Sequence, residues 1–104
     1  MEIIETEATL WRWQSAEAPA AWHFLTISGA AADALRIAAM TGQWLDGKPG
    51  FGSARVTARI GETTWATSVF PDEAGGGWVL PIKKAVRVAE HIADGDSVRL
   101  TLNL

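Results

Sequence analysis

Few side chains in this 104-residue chain are equipped for chemistry. It has no cysteine and two histidines, His23 and His91, beside nine lysines and arginines and twelve acidic residues. Without a thiol there is no disulfide, no thiolate nucleophile and no cysteine-ligated zinc. His23 lies between Trp22 and Phe24, and His91 follows Arg87 by four positions. Neither stands near an acidic pattern that would orient a general base or complete a metal site, so both are expected to be structural or solvated. The glycine-rich stretches Gly47 to Gly52 and Gly75 to Gly77 lack the lysine and following helix of a phosphate-binding loop and read as turns. No catalytic residue, metal or cofactor is expected, and enzyme activity is not the favoured reading.

The cations are more informative. Lys83 and Lys84 fall in the first turn of a helix that Pro81 is suited to open, where the helix dipole disfavours positive charge by a few tenths to ~1 kcal/mol. The plain explanation is compensation by Asp72, Glu73 or solvent, with Arg87 paired to Glu90 on the same face. The functional explanation is an anion-binding corner made by Lys83, Lys84 and Arg87 with exposed backbone amides. A second strip, Arg55, Thr57, Arg59 and Ser68, occupies the polar face of a hairpin, where arginines either contact phosphates and carboxylates or guard the sheet against wrong pairing. The candidate ligand-binding residues are therefore Lys83, Lys84, Arg87, Arg55 and Arg59. Their partner would be an anionic ligand or a protein. Nucleic acid remains open, although a net charge of -3 opposes it.

These residues must be held by strands. From Phe51 to Phe70 the apolar residues alternate on either side of Gly61-Glu62, which predicts a hairpin with a two-residue type II′ turn. In that register Ile60 faces Thr63, Ala58 faces Trp65, Val56 faces Thr67 and Ala54 faces Val69. Trp78 to Leu80 is a short strand; Ile82, Ala85, Val86, Ala89, Ile92 and Ala93 form one stripe of a helix stopped by Gly95; Ser97 to Leu104 alternates again as a final strand. Ile4 to Trp13 and Ala21 to Ile27 are further strands, and Ala30 to Met40 is an alanine-rich helix closed by Gly42. Of six tryptophans, Trp65, Trp22 and Trp78 are assigned to the core. Trp11 and Trp13 share a strand face that is either core or an exposed aromatic patch, core being favoured. Trp44 is left unassigned.

Apolar residues at 48% and charged residues at 20% are globular composition, and the length suits one domain over residues 1–104. No uncharged stretch reaches the ~20 apolar residues of a membrane helix. The start, Met1-Glu2-Ile3-Ile4-Glu5, lacks the features of a secretory signal, so a cytoplasmic location is expected.

Phe51-Gly52-Ser53-Ala54-Arg55-Val56, Thr64-Trp65-Ala66-Thr67-Ser68, Leu80-Pro81-Ile82-Lys83-Lys84-Ala85-Val86-Arg87 and Gly95-Asp96-Ser97-Val98 together resemble the bacterial domain-of-unknown-function 1905 family. Ser28 departs from the pattern, since relatives tend to carry proline there. The resemblance implies a mainly β fold: a double-split β-barrel with two helices, related to AbrB-like and MazE-like barrels, with elements in the order β-β-α-β-β-β-α-β. It implies no activity. The functional reading is a non-catalytic binding or interaction module, a monomer or weak dimer, with a basic corner for an anionic partner. An AbrB-like DNA-binding regulator and a small-molecule or enzymatic site in the barrel mouth are the alternatives. Because the lysines are placed outside the core, Lys83→Glu combined with Lys84→Glu is expected to leave folding intact; loss of the cooperative unfolding transition in the double variant would show that they are structural.

Overall fold

Alternating apolar residues close the chain into a cylinder. The computed structural model describes residues 3–14, 16, 21–40, 53–72 and 76–104. The elements are β1 (Ile3–Gln14), β2 (Ala21–Ile27), α1 (Gly29–Met40), β3 (Ala54–Ile60), β4 (Thr63–Asp72), β5 (Gly77–Pro81), α2 (Lys84–Ala89) and β6 (Ser97–Asn103). The six strands form a closed antiparallel barrel in the order β1-β2-β5-β4-β3-β6. Mainly β class, barrel and element order agree with the sequence expectation.

Two long strands serve both walls. β1 pairs with β6 over Ile3 to Thr9 and with β2 over Leu10 to Gln14. β4 pairs with β3 over Thr63 to Val69 and with β5 over Phe70 to Asp72. The β3–β4 hairpin has the register that alternation demands, with Ile60 opposite Thr63 and Ala54 opposite Val69. Gly61 has φ 58 and Glu62 has no positive φ, as a type II′ turn requires.

The interior is filled by one parity of each strand: Leu10, Leu25, Ile27, Val56, Ala58, Ile60, Val69, Leu80, Leu100 and Leu102 are all buried. Each large aliphatic side chain so placed contributes roughly 1.5–3 kcal/mol. Because β2 and β5 run antiparallel, α1, which follows β2, and α2, which follows β5, lie at opposite ends of the barrel. Ala32 and Leu35 of α1 plug one end, where the buried Trp78 donates its indole N–H to the Ala32 carbonyl at 3.2 Å. Ile82 and Val86 plug the other.

Several expectations are corrected. Pro81 does not open α2; it ends β5, and Lys83 is the N-cap residue. α2 stops at Ala89, because His91 takes a left-handed φ of 53, well before Gly95. Only Val86 of the expected stripe is buried within the helix itself, with Ile82 buried before it and Ile92 half-buried after it; Ala85, Ala89 and Ala93 are exposed. Trp22 is not in the core but 55% exposed, and Trp65 is half-buried against the core. Trp44, Glu73, the Gly42 helix stop and the Gly47 to Gly52 turn lie outside the described residues.

Among the described glycines, Gly77 is the one whose added Cβ would run into backbone. A Cβ there would lie 2.2 Å from the Ile27 carbonyl oxygen, where β5 crosses the end of β2. Gly77→Ala is therefore expected to lower stability by about 1–3 kcal/mol or more through forced backbone displacement. Gly76→Ala, at φ 75 with nothing within 4 Å, would carry left-handed strain alone, about 1–2 kcal/mol. Urea unfolding midpoints check this; a Gly77→Ala midpoint equal to wild type would contradict the close approach.

Candidate functional site

The wall of the barrel opens at the end occupied by α2. β5 pairs with β2 from Phe24 onward and ends at Pro81, so the first residues of β2 and the first half of β4 have no strand between them. The chain crosses this seam as Ile82, whose N–H donates to the His23 carbonyl at 2.8 Å, and then as Lys83. A cavity of about 170 Å³ results, lined by Trp22, His23, Trp65, Thr67, Ile82 and Lys83 among others. Two tryptophans, a histidine, a threonine and a lysine share its lining.

His23 carries the unpartnered polar atom of the site. It follows the inward parity of Leu25 and sits opposite Arg12 on β1. Its Nδ1 is buried without a hydrogen-bond partner. An unused lone pair is better tolerated in such a place than an orphaned N–H, so the neutral ring carries its proton on Nε2. Burial, first, and then the Arg87 guanidinium push the imidazolium below its ordinary value of 6.5; Arg12 adds to the depression and Asp94 opposes it. Among the described residues, two cations, Arg87 and Arg12, and one anion, Asp94, act on the ring by their charge.

Outside the seam, the β1–β2–β5–β4 wall turns aromatic residues to solvent. Trp13 and Trp22 are cross-strand partners, 49% and 55% exposed, and Phe70 is 44% exposed. With Phe24 and Pro81 they line an entirely apolar groove of about 380 Å³. Trp11 backs this wall, its ring 5.0 Å from Phe24 and its indole N–H donated to Thr26 Oγ1 at 2.8 Å. The expectation that Trp11 and Trp13 pack as core is corrected: Trp13 belongs to an exposed patch and Trp11 is half-buried beneath it. The physical reason is parity, since Leu10 and Leu25 take the inward positions and send Trp11, Trp13, Trp22 and Phe24 outward.

The structure separates the five expected site residues. Lys83 lines the seam cavity; Lys84, Arg87, Arg55 and Arg59 do not. Arg87 is half-buried and donates from Nε to the Ile82 carbonyl at 3.3 Å, so it shapes the mouth and acts on His23 by its field. The expected Arg87 to Glu90 pair is absent among the described residues, because Glu90 instead accepts from the Thr63 hydroxyl at 2.6 Å. Asp72 cannot balance the lysines, since it ends β4 at the opposite mouth. Arg55 and Arg59 are exposed on β3, across β4 from the seam, and Arg59 donates to the Gly61 carbonyl at 2.9 Å. His23, Trp22 and Trp65 were not anticipated as site residues. The available signal was the shared parity of His23 and Leu25, which places an imidazole at the inner end of a strand.

Among the described residues no group of three or more His, Asp or Glu could hold a metal, and no helix is long and apolar enough to cross a membrane. Folding lowers the His23 proton affinity, so the unfolded chain binds more protons as pH falls through 6.5 and stability drops with it, until the lower folded value is passed. The urea midpoint of wild type should fall relative to His23→Gln over this interval; parallel pH profiles for the two proteins would refute the assignment.

No curated protein matches the sequence. Residues 7–102 match a family that spans every strand of the barrel, both helices and the seam, and carries the description Domain of unknown function (DUF1905). With nearly the whole length covered, the chain belongs to the DUF1905 family.

Proposed function

We propose that the protein is a non-catalytic binding module that takes a small anionic ligand at the seam, with Lys83 as its charged contact. The observation that carries this reading is that Lys83, His23 and Thr67 line one cavity together with Trp22 and Trp65. A concave site with an apolar lining and a few polar groups is the ordinary form of a small-molecule site. The surrounding Arg12 and Arg87 raise the local potential, which favours an anion over a neutral ligand. Among the described residues no nucleophile with an adjacent base and orienting group lines the cavity, which favours binding as the role.

The AbrB-like DNA reading draws less support. Its basic surface would have joined Arg55 and Arg59 to Lys83, Lys84 and Arg87, but β4 lies between the two groups. The six strands also close within one chain, which leaves no barrel half to be completed by a second copy.

Thermal-shift titration at low ionic strength with phosphate and with acetate tests the proposal. A ligand selective for the folded chain stabilises it by about 2.7 kcal/mol at one hundred times its Kd. The shift should vanish in Lys83→Glu and persist in Arg55→Glu combined with Arg59→Glu. A shift that survives Lys83→Glu, or one that appears only with duplex DNA and is lost in the arginine variant, would overturn it.

A further inference from the structure

Trp22 and Pro81 line both the seam cavity and the apolar groove, so the two depressions are contiguous across these side chains. Resting on the anion-binding reading of the seam, we infer that the ligand is an amphipathic monocarboxylate: its head sits against Lys83 and its apolar body lies along Trp22 into the groove of Trp13, Phe24 and Phe70. Each half explains what the other cannot. An inorganic anion satisfies Lys83 but leaves Trp13, Trp22 and Phe70 about half in water. A neutral hydrocarbon covers the groove, which offers it no polar group, but leaves Lys83 at the seam without a counter-charge.

Size and charge favour this occupant over another protein. Five side chains line the groove, whereas a stable protein interface draws on ~20–30 residues a side. Cavities of about 170 and about 380 Å³ are together on the scale of a single small molecule. The carboxylate complements Lys83 and lies within reach of the fields of Arg12 and Arg87, while among the described residues Asp94 is the one acid acting on His23. The indoles give the body a flat, rigid surface on which apolar chains and rings both pack.

Calorimetric titration of the purified chain with butanoate, hexanoate, octanoate and octanol tests the inference. Affinity should tighten about three- to fourfold per added methylene, the gain from burying that group. Octanol should bind much more weakly than octanoate. Trp13→Ala combined with Phe70→Ala should flatten the chain-length series, so that octanoate loses far more affinity than butanoate; both residues are exposed, and far-UV circular dichroism verifies the fold. Lys83→Glu should weaken every carboxylate and preserve the slope. A flat series in wild type with butanoate still bound would overturn the groove assignment and leave the seam reading standing. Octanol binding as tightly as octanoate would defeat the anion reading itself. A concentration-dependent dimer dispersed by Trp22→Ala would assign the groove to a second copy and overturn the inference.

Discussion

The inner row of β3 governs how the cylinder closes. Ala54, Val56, Ala58 and Ile60 alternate small and large side chains toward the interior, and all four are buried. Ala58 stands between Trp65 on β4 and Leu102 on β6, so the smallest side chain lies where two large ones approach from neighbouring strands. A larger residue there would push the walls apart, and a polar one would be buried without a partner. Trp65, the cross-strand neighbour of Ala58, in turn lines the seam.

Closing six strands with only five residues in β5 has a consequence at the mouth. Pro81 cannot donate a ladder hydrogen bond, and the chain leaves the wall after it. One N–H, from Ile82, bridges back to β2, and the space beyond is left to side chains. That accounts for a half-buried imidazole with an unpartnered Nδ1 at the same place as Lys83 and two indoles. It also explains why Arg87 turns inward: the unladdered Ile82 carbonyl is the acceptor it reaches. The polar character of the mouth comes from an interrupted ladder, and the apolar groove beside it comes from an outer face carrying aromatics.

Legibility in the sequence followed the cleanness of the alternation. The β3–β4 pair and β6 separate apolar from polar residues by parity, and their register and inner faces agree with that reading. β2 does not: Ala21, Trp22, Phe24, Leu25 and Ile27 place apolar residues on both parities. Periodicity alone cannot choose between them, and Trp22, expected in the core, is sent outward by its pairing with β1. α2 misled in another way. Its apolar spacing continues to Ile92 and Ala93, yet the left-handed turn at His91 ends it early, and a barrel mouth already filled by Ile82 and Val86 has little left to bury. Of the candidate site, Lys83 was legible as a cation without an obvious partner; His23 and Trp65 were not, since nothing local marks them as neighbours.

Membership in the DUF1905 family, the class of fold, the order of elements and the inside and outside of the regular strands were determined by the chain as written, because each depends on residues close together along it. Only tertiary structure decided which face of β2 meets water and which cations share a surface. The seam brings together residue 23, residues 65 to 67 and residues 81 to 83, contributed by three separate elements and the crossing after β5. Their meeting is a property of ring closure, and no local pattern of side chains encodes it.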